Sequence, residues 1–180
     1  QKGVFSLIKR SEGSPIDTVI NSFYLDQNNV LWISTAKDVR TYNQQNKQFT
    51  TYSADNILKK RYPQPSGDDF HIDFIKSDQE NNLWIGTNEG LVEFKNGKFN
   101  QITTENGLMD NHIYSIAFNS EGGIWISNSK EVGLFRNGKY SSIAKIDYEG
   151  DFSFLTVNKE NHLFFASKNG AMFLVILPPS

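Results

Sequence analysis

The chain has 180 residues, 38% of them apolar, 13% aromatic and 21% charged, which describes a folded chain of one domain or slightly more rather than a disordered one. A net charge of -2, with 18 Lys and Arg against 20 Asp and Glu and no basic run, gives no electrostatic footprint for a nucleic-acid backbone, so nucleic acid is not expected as a partner. Zero cysteines exclude disulfides, zinc-thiolate sites and cysteine nucleophiles. The longest apolar run, Ala171 to Leu177, is far short of the roughly 20 residues that span a bilayer. No basic-then-apolar leader opens the chain, and its first residue is Gln1 rather than Met, so a piece of something longer is expected.

A repeat organises the chain. Val30-Leu31-Trp32-Ile33-Ser34-Thr35 recurs as Asn82-Leu83-Trp84-Ile85-Gly86-Thr87, as Gly123-Ile124-Trp125-Ile126-Ser127-Asn128, and more weakly as His162-Leu163-Phe164-Phe165-Ala166-Ser167. Six residues before each anchor stands Asp26, Asp78, Asn119 or Asn158, and three before it Asn29, Asn81, Gly122 or Asn161. This is hairpin-turn chemistry: the first side chain bonds its own backbone two residues on, and the later Asn or Gly tolerates φ > 0. Twelve and nine residues before the anchors, Ile20, Ile72, Ile113 and Phe152, then Phe23, Ile75, Ile116 and Leu155, read as one buried inner strand per unit.

In chain order, residues 1–18 read as the end of a preceding blade and a connection, with Gly3-Val4-Phe5-Ser6-Leu7 matching a third strand. Residues 19–52 form a blade around Trp32, with Asp38-Val39 standing where later units have Gly-Leu, and 53–68 read as an inserted loop. A blade around Trp84 occupies 69–102, with third strand Gly90 to Phe94, an Asn96-Gly97 turn and an outer strand from Lys98 to Ile102. The blade around Trp125 occupies 103–143, with Asn137-Gly138 before the outer strand from Tyr140 to Ile143, and 144–180 is an incomplete blade around Phe164. Four short antiparallel strands at a period of roughly 40 residues give an all-β fold, a β-propeller of four-stranded blades. About four blades' worth is present, expected to be part of a larger ring because single blades cannot bury their own flanks.

The run Asp78 to Leu91, followed by Asn96-Gly97-Lys98-Phe99 and by Glu105-Asn106-Gly107-Leu108-Met109-Asp110-Asn111-His112-Ile113, resembles the two-component regulator propeller repeat. The resemblance covers nearly the whole chain and weakens in the first and last units, where Asp38 replaces Gly and Phe164 replaces Trp. It implies a seven-bladed ring in the periplasmic, extracytoplasmic sensor of a bacterial receptor that is a histidine kinase, or in some cases a diguanylate cyclase. Such receptors detect oligosaccharides, so the implied partners are an oligosaccharide ligand, the remaining blades, adjacent domains of the same receptor, and a second copy in a homodimer.

Propeller ligands and partners usually meet the face where the loops entering the inner strands gather. That face is expected to carry Asp69, His71, Asp110, Asn111, His112 and Asp151 near the axis as ligand-binding residues, with Lys37, Asp38, Asn88, Glu89, Lys130 and Glu131 farther out as a polar rim. His71 and His112 both lie thirteen residues before their anchors and so occupy equivalent places on adjacent inner strands. The anchor tryptophans are expected to pack between blades rather than stack on sugars. His162, beside a turn, is expected on a solvated edge.

No cofactor or metal site is expected, since each repeated turn offers one or two oxygens and calcium needs several from one loop. No nucleophile elbow or phosphate-cradling loop is present, so no catalytic residues are assigned. The sialidase Asp-box places its Asp five before Trp, and here it stands six before. The leading reading is a non-catalytic sensor module. A streptogramin-lyase-like or glycosidase enzyme, supported if His71 and His112 converge with a carboxylate within hydrogen-bonding range around one pocket, and a purely structural scaffold remain as alternatives.

Overall fold

A computed structural model describes residues 19–62, 67, 69–145, 154–160, 162–167, 170 and 172–175. The opening segment 1–18 and Asp151 lie outside the described residues.

Four antiparallel meanders follow one another along the chain. The first sheet is β1 (Ile20–Leu25), β2 (Val30–Thr35), β3 (Asp38–Asn43) and β4 (Gln48–Ser53), each strand paired with the next. The second is β5 (Ile72–Ser77), β6 (Leu83–Thr87), β7 (Gly90–Lys95) and β8 (Lys98–Ile102), and the third is β9 (Ser115–Phe118), β10 (Ile124–Ser127), β11 (Glu131–Arg136) and β12 (Lys139–Lys145). The fourth has three strands among the described residues: β13 (Phe154–Val157), β14 (Leu163–Ala166) and β15 (Met172–Val175). This is the all-β, blade-by-blade architecture of a propeller.

The repeat's turn residues make these hairpins. Asp26 Oδ1 accepts the N–H groups of Asn28 and Val30 at 2.9 Å, and Asp78 Oδ1 those of Glu80 and Asn82 at 2.9 Å. Asn119 and Asn158 do the same in the third and fourth sheets. Asn29, Asn81 and Gly122 then take positive φ of 59°, 63° and 77°. Asn96-Gly97 and Asn137-Gly138 turn with φ positive at both residues, the conformation of a type I′ hairpin.

Successive sheets pack face to face through three apolar clusters, each joining one sheet to the next. Trp32 and Val39 of the first sheet meet Ile72, Ile75, Leu83 and Ile85 of the second. Trp84 and Leu91 meet Ile116, Ile124 and Ile126, while Trp125 and Val132 meet Leu155, Leu163 and Phe165. All three tryptophans are therefore inter-sheet anchors, as the repeat predicts. Trp32 Nε1 and Trp84 Nε1 donate back to Asp26 Oδ2 (3.0 Å) and Asp78 Oδ2 (2.9 Å), so one carboxylate both shapes the turn and satisfies a buried indole.

The segment after β4 is more structured than an inserted loop. Residues Ala54–Ile57 form one helical turn, α1, and Ile57 and Leu58 enter the core between the first two sheets at 1% and 7% exposure. Their two apolar side chains explain the difference, because leaving both in water would forgo a few kcal/mol of burial.

Candidate functional site

The inner strands β5 and β9 present the most chemically active group. β5 carries a bulge: Ile72 pairs with Thr87 and Phe74 with Gly86, leaving Asp73 as the extra residue. Gly86 leaves room for the Phe74 ring, since a Cβ there would lie 2.0 Å from it. The bulge places His71 and Asp73 together, and the segment entering β9 brings His112 alongside. Asp73 Oδ2 lies 3.7 Å from His71 Nε2 and 3.5 Å from His112 Nε2. The imidazole centroids are 5.2 Å apart and nearly perpendicular, and the Tyr114 ring stands edge-on to His112 at 4.4 Å. All three side chains are half-buried, at 34%, 24% and 25% exposure.

Hydrogen bonds hold the backbone around His71. The fully buried Asn88 brackets it, with Asn88 N donating to His71 O (3.2 Å) and Asn88 Oδ1 accepting from His71 N (2.9 Å). Asn88 Nδ2 also donates to Asp69 O (3.0 Å), and that carbonyl lies 3.2 Å from His71 Nδ1. Beside this cluster a cavity of about 490 Å³ is lined by Asp73, Phe74, Lys76, Tyr114, Ser115 and residues of β13. Lys76 Nζ donates to Ile116 O (2.5 Å), and burial lowers its pKa from the ordinary 10.5.

The sequence-predicted residues divide accordingly. His71 and His112 converge, and Asp69 contributes its backbone carbonyl while its side chain is exposed, 3.8 Å from Lys37 Nζ. Asp110 and Asn111 act as loop staples: Asp110 Oδ1 accepts from His112 N (3.0 Å) and Asn111 Oδ1 from Thr104 N (2.8 Å). Asp73 is absent from the sequence reading, because the bulge that brings it to His71 and His112 breaks the strand's period of two and leaves no linear signal.

The outer rim needs correction. Asn88, Glu89 and Glu131 are buried rather than solvated. Glu89 accepts from Arg61 Nε at 3.0 Å and Nη2 at 2.7 Å and from the backbone N–H of Tyr62, so the segment after α1 closes over it, and Ser142 Oγ donates to Glu131 at 2.7 Å. Asp38 is held by Arg40 at 2.8 Å, while Lys37 and Lys130 are exposed.

Sheets of this form, locked by a turn carboxylate and an inter-sheet tryptophan, define a β-propeller built of repeats. The model of the two component regulator propeller family matches residues 14–37 and 107–130. No curated protein matches the chain. Among solved structures, it is similar to the extracellular domain of BT3049 from B. thetaiotaomicron, assigned to a hybrid two component system, at 19% identity and a TM-score of 0.69 over 86% of this chain and 21% of that one. It is also similar to the extracellular domain of BT4673 from the same organism, with the same assignment, at 16% identity and a TM-score of 0.71 over 96% and 22%. Virginiamycin B lyase from Staphylococcus aureus is similar at 17% identity and a TM-score of 0.63 over 91% and 57%. The chain thus spans about a fifth of the length of the two receptor domains. Among the described residues no helix is long and apolar enough to cross a membrane.

Proposed function

We propose that this chain is a sensor segment of a propeller in the extracytoplasmic, periplasmic part of a bacterial two-component receptor, non-catalytic in itself. Its channel mouth, at His71, Asp73 and His112, would receive an oligosaccharide or a partner domain. The observation that carries the reading is the repeat match at residues 14–37 and 107–130, and the likeness to extracellular domains of two-component systems is consistent with it. Further blades, adjacent receptor domains and a second receptor copy are the expected partners, and the histidine kinase output would lie elsewhere. A ligand transmits a signal here only by binding one arrangement of the receptor better than another.

A second reading, a lyase-like enzyme, has one observation in its favour: two histidines and a carboxylate do converge beside a cavity. Their separations of 3.5 and 3.7 Å exceed hydrogen-bond range, so no base–orienter pair is formed, and the likeness to the lyase extends to the fold alone. The test is a glycan-panel binding assay on the intact protein and on His71→Ala/His112→Ala. Binding that is lost in the double variant is the expected result. Binding retained would make this segment scaffold, and turnover of a glycan would establish the enzyme.

A further inference from the structure

We propose that His71, Asp73 and His112 form a binding site for a first-row divalent cation, zinc foremost. The inference goes beyond the sensor reading and does not rest on it. Two polar atoms at the centre of the cluster, Asp73 Oδ2 and His112 Nε2, are shielded from solvent and have no hydrogen-bond partner. Burying such atoms unsatisfied is destabilising, so a partner is to be expected. They do not satisfy one another, because 3.5 Å is too long for a hydrogen bond.

The same distance fits a shared ion. Ligands held about 2.0–2.1 Å from a tetrahedral zinc stand roughly 3.4 Å from one another. Asp73 Oδ2 lies 3.5 Å from one imidazole nitrogen and 3.7 Å from the other, and all three ligand atoms fall within 4.8 Å. A small rotation of the His71 ring closes the longest edge, and the broad χ2 well of histidine permits it.

The tautomer is also set. The Asp69 carbonyl can only accept, so the 3.2 Å contact assigns the proton to His71 Nδ1 and leaves the lone pair on Nε2, facing the cluster. A backbone carbonyl behind the distal nitrogen is the usual outer support of a metal-bound imidazole. Imidazole with one carboxylate suits zinc and its first-row neighbours rather than calcium or magnesium. Three protein ligands leave at least one coordination position for water or an oxygen donor from a bound molecule.

The probe is Co²⁺, whose visible d–d absorption reports coordination by nitrogen and oxygen, added to the intact protein after chelator stripping, with Zn²⁺ competing. The expected result is one ion per chain, a Co²⁺ band abolished by Zn²⁺, and a metal-dependent rise in melting temperature. Asp73→Asn and His112→Gln should each lose the band and the rise. Neither residue's cluster-facing atom makes a hydrogen bond, so both variants should melt near the metal-free wild type, which separates lost binding from lost folding. No band in the wild type, or a band and a melting shift that persist in both variants, would overturn the site.

Discussion

At the residue scale, the turn carboxylates show how one side chain can do two jobs. In the first two sheets an Asp six residues before Trp bonds the turn through one oxygen and the indole N–H through the other. The third sheet has Asn119 at that place; its single oxygen accepts from Glu121 N and Gly123 N, and Trp125 Nε1 is left buried without a partner. Asn119→Asp should restore the missing acceptor and raise stability by about 1 kcal/mol, read from the midpoint of chemical denaturation. An unchanged or lowered midpoint would mean that the indole gains nothing from a second oxygen there. The spacing of six residues was legible in the sequence and correctly read as a turn, but the indole bond was not. A linear pattern shows the turn's local hydrogen bonds, which close within four residues, whereas the Asp–Trp contact depends on how the two strands are folded over one another.

At the element scale, the same division separates what repeats from what does not. Strand order and the hairpin turns follow from patterns that recur four times, and the tryptophan anchors from one that recurs three times, so each copy corroborates the others. The departures lie where one copy carries residues the others lack: Asp73, which a bulge also present in the first sheet brings to His71 and His112, and the segment after β4. That segment has the turn-rich composition of a loop, yet Ile57 and Leu58 enter the core and Arg61 reaches the carboxylate of Glu89, itself 1% exposed. The pairing holds the Arg61 guanidinium above its ordinary pKa through its hydrogen bond to Glu89. Arg61 is 47% exposed, so solvent screens part of the attraction, but its loss would leave a buried carboxylate with, among the described residues, only the Tyr62 N–H. Arg61→Ala should therefore cost about 2 kcal/mol, while Lys59→Ala, at an exposed position two residues earlier, should stay within about 0.5 kcal/mol of the wild type. Equal effects in a denaturation series would show that the segment is held by its apolar residues alone.

At the scale of the whole molecule, the sheets form a row, and its two ends differ from its middle. Each inner junction buries a tryptophan and its apolar neighbours, but seven of the nine large apolar side chains exposed among the described residues belong to the terminal sheets or their entry: Val19, Ile20, Phe23 and Leu25 at one end, Phe154, Met172 and Leu174 at the other. Blades lacking a neighbour cannot bury such flanks, and the proposal that this chain is part of a larger ring supplies the neighbour. Phe23, 73% exposed here, is the sharpest probe. If a further blade covers it in the intact protein, Phe23→Ala should cost about 3–5 kcal/mol, the same range as Trp84→Ala at an inner junction, because both would empty an inter-sheet site. If the flank stays open to solvent, Phe23→Ala should fall within about 0.5 kcal/mol of the wild type while Trp84→Ala keeps its full effect. Measuring both substitutions in the same background makes Trp84 the internal standard, so a small Phe23 effect refutes the covered flank rather than merely signalling an insensitive assay.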